Sequence, residues 1–171
     1  VALNCVANGK ILEEKIFENI WVQPAAGDAG GSLGAALALW HCEQNNKRKI
    51  NLEDDMQGSY LGPKYTQTEI EKKLSVLGAK FTVFSDEEIT NHTAENLSKG
   101  HAIGWFQDRM EFGPRALGNR SILCDPRIKN LKDLLNLKIK RRESFRPFAP
   151  AVLREFQKDW FESNFNNLYM S

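Results

Sequence analysis

Residues 109–150 read RMEFGPRALGNRSILCDPRIKNLKDLLNLKIKRRESFRPFAP, and the positive charge of the chain gathers there. Between Arg109 and Phe148, eleven Lys and Arg stand against Glu111, Asp125, Asp133 and Glu143. The local excess is +7 in a chain of formal net charge +1, which leaves −6 for the remainder. The arginines sit at turns: Arg115 follows Gly-Pro, Arg120 follows Gly-Asn, and Arg146 precedes a proline. Such positions mark element ends rather than a solvated helix face. A guanidinium is a planar fork of donors that matches phosphate or carboxylate oxygens in pairs and keeps its charge. The placement therefore predicts that Lys140, Arg142 and Arg146, with Arg115 and Arg120, line one concave anion pocket.

Two plainer readings compete with the pocket. One is a solvated basic surface, since Lys129, Lys132 and Lys138 fit the polar face of a helix. The other is a nucleic-acid patch, which calls for exposed aromatics or a recognisable module. Phe112, Phe145 and Phe148 instead lie beside glycine, proline or arginine, and no such module is legible. That context favours a small-anion pocket and makes nucleic acid the weaker partner. Glu111, Asp125 and Glu143 are expected to pair with neighbouring arginines, because an unpaired buried charge is very costly. The competing reading makes one of them a magnesium ligand.

A chain of 171 residues with 42% hydrophobic content allows one domain or two small ones. No signal peptide is legible, and no apolar run approaches the roughly 20 residues that span a bilayer. Cys5, Cys42 and Cys124 are odd in number and lack CxxC spacing, which points to reduced thiols in a cytoplasmic protein. His41, His92 and His101 form no metal-ligand pair at helical spacing. The chain begins without methionine and ends in an aromatic-rich tail, so it reads as a fragment of a longer protein.

Residues 1–12 read as helical, and 20–23 as a short strand ended by Pro24. The glycine-rich turn around Asp28 follows, then a helix from about Ser32 to Gln44. Strand, glycine loop and helix start together suit phosphate binding, and a plain tight turn with a capping Asp fits equally well. Residues 45–59 are polar and form the expected linker. Thr66 with Glu69, and Ser85 with Glu88, are capping boxes for helices ending near Leu77 and Gly100. Strands are expected at 80–84, 102–106, 120–124 and 148–153, and a helix at 128–137. The class is α/β overall, with a mixed sheet in the second unit.

The basic stretch closely resembles the C-terminal region of the nodulation and antibiotic-biosynthesis O-carbamoyltransferases. The likeness runs from Arg109 through Leu123, Asp125-Pro126-Arg127, Asn136, Lys140, Arg142-Glu143 and Phe145 to Pro150. Upstream, Val1-Ala2-Leu3-Asn4, Asn8-Gly9, residues 23–30 and Leu33-Gly34-Ala35-Ala36 resemble the end of that family's larger N-terminal domain. Tyr60-Leu61-Gly62-Pro63 resembles the junction. The resemblance implies that residues 1–46 end an actin/sugar-kinase-like (ASKHA) lobe. Residues 47–59 are then the linker, and 60–171 an incomplete mixed-sheet α+β YrdC-like domain.

In such a family, carbamoyl phosphate and ATP give carbamoyl-adenylate in the second domain. The first domain passes the carbamoyl group to a hydroxyl of a sugar, nodulation factor or antibiotic precursor. Within the pocket that Arg146 also lines, Lys140 and Arg142 are expected on phosphate oxygens, Ser144 as a hydroxyl donor, and Arg115 and Arg120 on the carbamoyl phosphate side. Asn4, Gly30, Gly31 and Arg109 are expected at the nucleotide. Asp28 resembles a carboxylate ligand of Fe2+ or another divalent metal, and Mg2+ accompanies ATP. The histidine ligands belong to a lobe this chain lacks, so Asp28 is expected unmetallated, with backbone N–H groups on its carboxylate, and the chain incapable of full transfer alone. Departures are Asp108, where glycine is expected, and Gly31-Ser32 in place of a more apolar pair. Outside this family, a non-catalytic polyanion-binding module and a regulatory nucleotide-binding domain remain the alternatives.

Overall fold

The computed structural model describes residues 2–162 and 167–170. Val1, which opens the first stretch of resemblance, and part of the aromatic tail lie outside the described residues. Helix α1 (Cys5–Glu13) starts where Asn4 caps it, its Oδ1 accepting from the Val6 and Ala7 amides at 3.2 Å. Helix α2 (Asp28–Ala38) runs without a break into a wider π turn, Leu39–Glu43, so it begins a turn earlier than the sequence suggests. Helices α3 (Gln67–Val76) and α4 (Asp86–Ser98) both open on complete capping boxes, at Thr66 with Glu69 and at Ser85 with Glu88. Gly78 (φ 66°) and Gly100 (φ 83°) then turn the chain out of each helix in the left-handed region.

Strand β1 (Ile103–Phe106) pairs antiparallel with β2 (Arg120–Leu123), from Ile103 opposite Leu123 to Phe106 opposite Arg120. This two-stranded sheet replaces the expected mixed sheet, since no parallel pairing forms among the described residues. Nor do residues 20–23, 80–84 and 148–153 form strands there. Alternation decides which side chains share a face, whereas a ladder needs a partner backbone. Helix α5 (Leu131–Leu135) passes into a second π turn, Asn136–Lys140, and a 3-10 turn, Arg154–Phe156, leads into α6 (Gln157–Trp160).

Among the described residues the buried apolar ones are few: Leu3, Pro24, Ala25, Leu131 and Leu135. The accessible surface of 14142 Å² far exceeds the roughly 8,500 Å² typical of a compact chain of this mass. Local hydrogen bonds, more than a deep core, therefore set the geometry around the basic stretch. One close approach fastens the N-terminal segment to it, and a second tightens that segment's own turn. A Cβ on Gly30 would stand 2.6 Å from the Ala25 oxygen, and one on Gly113 (φ 110°) would stand 2.7 Å from the Ala25 Cβ. Ala25 is thus held between two glycines. The 59–63 segment is tied on as well: Gly62 N donates to Met110 O (2.8 Å), Phe112 N to Ser59 O (2.6 Å), and Tyr60 Oη to Leu117 O (2.9 Å).

Candidate functional site

The loop between β1 and β2 folds around one carboxylate. Glu111 is buried, and its Oε1 accepts from the amides of Leu117 (2.7 Å), Asn119 (2.8 Å) and Arg120 (3.3 Å). Its Oε2 takes the Arg120 Nε at 2.7 Å, while Arg120 Nη2 reaches the Glu111 carbonyl at 2.7 Å. Burial, the largest single influence, pushes the Glu111 carboxyl up. The Arg120 and backbone hydrogen bonds together outweigh it and hold the group at about 2. Asn119, also buried, ties the loop ends by donating to Arg109 O (2.7 Å) and accepting from Gln107 Nε2 (3.0 Å). Glu111 and Arg120 therefore compensate each other inside the loop.

The other expected pairs form as well. Arg127 Nε sits 2.9 Å from Asp125 Oδ1, and Arg146 Nε lies 2.8 Å from Glu143 Oε2. The Arg127 hydrogen bonds hold the Asp125 carboxyl down, at about 2. Glu111, Asp125 and Glu143 thus each face an arginine, and no group of three or more potential metal ligands gathers among the described residues.

A second hub organises the chain after α5. Asn136 is fully buried. Its side-chain amide donates to the carbonyls of Ser144 (3.3 Å) and Arg146 (3.0 Å), and its Oδ1 accepts the Arg142 Nε at 2.7 Å. The chain reverses at Arg141, whose left-handed φ of 48° follows the π turn, and Arg142 N closes onto the Asn136 carbonyl at 3.0 Å. Arg142 also reaches Pro147 O (3.3 Å) and lies 4.9 Å from the centre of the Phe148 ring. Every one of these partners is neutral. Arg142 is aimed by neutral hydrogen-bond partners, and the neighbouring Glu143 carboxylate acts on it through space alone.

Arg142 faces a cavity of about 1240 Å³, which Arg115, Arg146, Arg154 and Asn4 also line. Arg115 is steadied by Leu3, whose carbonyl accepts its Nη2 at 2.8 Å. Phe148, Phe161, Leu168 and Met170 supply apolar wall, and no carboxylate is among the described lining residues. Four arginines thus line a pocket whose described lining holds no carboxylate, and one of them, Arg146, is already paired with Glu143. A shallower depression of about 470 Å³ along α3, between Lys72, Lys73 and Leu77, has no such convergence.

The expected site residues divide accordingly. Arg115, Arg142, Arg146 and Asn4 come together at the cavity, while Arg109, Arg120, Lys140 and Ser144 lie outside its lining. Arg120 is turned away by Glu111, and Arg109 donates to Gly62 O at 2.9 Å. Lys140 ends the π turn in solvent, and the Ser144 carbonyl serves Asn136. Gly30 is fixed by its approach to Ala25, whereas a Cβ on Gly31 would meet open space. Asp28 opens α2 as its first helical residue. Its exposed carboxylate takes no hydrogen bond among the described residues, because the capping position belongs to Gly27. The backbone cap expected for it does not form, and one carboxylate alone does not make a metal centre. Sequence reasoning missed Arg154, and it missed Asn136 as a hub. The signal for Asn136 is a lone amide in the apolar run Leu134-Leu135-Asn136-Leu137.

Known proteins share this pattern. The description carbamoyltransferase N-terminus matches residues 1–37, and carbamoyltransferase C-terminus matches residues 94–171. An uncharacterized protein of Synechocystis sp. is 55% identical over 172 residues, 99% of this chain and 28% of that protein. Nodulation protein NolNO of Sinorhizobium fredii is 44% identical over 163 residues, 95% of this chain and 23% of its own length. Nodulation protein U of Azorhizobium caulinodans is 31% identical over 168 residues, 98% of this chain and 27% of its own length. The chain thus spans about a quarter of the length of the curated relatives it matches.

Proposed function

We propose that this chain, which belongs to the carbamoyltransferase family, supplies the anion-binding part of an ATP-dependent O-carbamoyltransferase. Carbamoyl phosphate and ATP meet in the arginine cavity, where water takes the phosphate from carbamoyl phosphate as inorganic phosphate, and the carbamate oxygen left behind bonds to the α-phosphorus of ATP, giving carbamoyl-adenylate as pyrophosphate leaves. The carbamoyl group then passes to a hydroxyl of a small-molecule acceptor. The observation that carries this reading is the convergence of Arg115, Arg142, Arg146 and Arg154 on one cavity whose described lining holds no carboxylate.

The physical need is clear. The two substrates bring roughly six negative charges together, and their repulsion must be offset before bonds can change. Fixed guanidinium groups offset it without reorganising during the reaction. Transfer at phosphorus then depends mainly on positioning and charge, so no nucleophilic side chain is required. Arg142, preset by Asn136 and Phe148, is the group best suited to positioning. Arg115 couples the cavity to the N-terminal segment through Leu3. The apolar wall of Phe148 and Phe161 suits the base of a nucleotide. Magnesium enters with ATP, and Asp28 offers one ligand to a divalent metal that needs further ligands from elsewhere.

The test is carbamoyl-phosphate-dependent release of pyrophosphate from ATP by the full-length protein. Arg142→Ala is expected to slow it by about 10²-fold, the typical cost of one preorganised charge-stabilising group. An unchanged rate rejects the assignment.

A further inference from the structure

We infer that Arg154 is a fourth anion-binding residue of the cavity, serving a second anionic group on the ligand. This rests on the anion-pocket reading above. The four lining guanidinium groups are not equivalent. Arg146 is met by Glu143 at 2.8 Å. Arg115 and Arg142 keep their charge but commit donors to Leu3, Asn136 and Pro147. The Arg154 side chain makes no ion pair or hydrogen bond among the described residues, although Glu155 and Asp159 lie close in sequence. It is the lining arginine without such a commitment among the described residues.

Its position differs too. Arg142 and Arg146 belong to the loop held by Asn136, whereas Arg154 opens a separate 3-10 turn, Arg154–Phe156. Gln157, three residues on and therefore on the same face, lines the cavity beside it. Residues 147–152, between the two arginine groups, line the same space. A ligand with one phosphate is served by the Arg142 loop alone, and one with linked phosphates also reaches the Arg154–Gln157 wall. Arg154 is held less firmly than Arg142 and loses more rotamer freedom on binding, so its contribution is the smaller of the two.

Titration calorimetry of the full-length protein with inorganic pyrophosphate and with inorganic phosphate separates the possibilities, with thermal melts as the folding control. Arg154→Ala is expected to weaken pyrophosphate by about fivefold to tenfold and phosphate by less than about twofold. Arg154→Lys should recover part of the loss, and Lys158→Ala, which removes a nearby charge outside the lining, should change little. Arg154→Gln supplies the same readout if the alanine variant melts early. The inference is overturned if Arg154→Ala leaves pyrophosphate binding intact while Arg142→Ala weakens it, or if Lys158→Ala and Arg154→Ala lose equally. If neither Arg142→Ala nor Arg154→Ala alters binding, the anion-pocket reading falls with it.

Discussion

Glu111 and Asn136 are both buried polar hubs, each fixing one arginine of the same basic stretch, yet they leave those arginines in opposite states. Glu111 answers Arg120 with a full negative charge and closes the loop between β1 and β2 around the pair. Asn136 answers Arg142 with a neutral amide and two backbone carbonyls on its far side. A charged hub neutralises its arginine and stabilises the scaffold. A neutral hub orients its arginine and leaves the charge for a ligand. Arginine count alone therefore does not mark a binding site. What matters is what each guanidinium already faces.

The largest effect is expected where the charge is committed. Glu111→Gln leaves Arg120 without a counter-charge and turns one amide hydrogen toward groups that are themselves donors. Breaking a buried pair in this way costs about 3–5 kcal/mol, readable by urea unfolding. The same pair has a pH signature. The Glu111 carboxyl is held down at about 2 from an ordinary 4.5. Its stabilisation is thus complete above about pH 4.5, on the order of 3 kcal/mol, and fades as pH falls toward 2. The stability gap between wild type and Glu111→Gln should narrow across that window. A gap that stays constant with pH removes the charge from the account.

A smaller loss is expected at the neutral hub. Asn136→Ala removes three side-chain hydrogen bonds and leaves the Ser144 and Arg146 carbonyls without that partner, a cost of about 1–3 kcal/mol. Its distinguishing effect is on binding. With Arg142 no longer aimed, affinity for inorganic pyrophosphate should fall about fivefold or more, whereas binding that survives unchanged shows that Asn136 serves the fold alone.

Much of this was legible beforehand, and the boundary of legibility has physical causes. The capping boxes at Thr66 and Ser85 are local, so four residues suffice to announce each helix. The strands expected at 102–106 and 120–124 do find each other, over 103–106 and 120–123. Residues 80–84 alternate, but pairing requires a backbone that the pattern does not specify. Asp108 stands where the family resemblance expects glycine, and its φ of 44° explains that expectation. The pairing of Glu111 with Arg120 follows from the cost of buried charge, while the choice of Arg142 over Arg120 for the cavity does not. That choice depends on carbonyls of Ser144, Arg146 and Pro147, which carry no side-chain signature. Arg154 was invisible for a related reason, since its place in the cavity comes from a turn that follows an expected strand.

The most direct test compares a ligand-facing arginine with a committed one. Pyrophosphate titrations of the full-length protein, at low and at raised salt, should be run on wild type, Arg142→Ala and Arg127→Ala. Arg142 faces the cavity, whereas Arg127 pairs with Asp125 outside its lining. The account predicts that Arg142→Ala loses about tenfold or more in affinity while Arg127→Ala stays within about twofold of wild type. Equal losses in both variants, erased together by salt, would instead mark the basic stretch as a general polyanion surface and contradict the account.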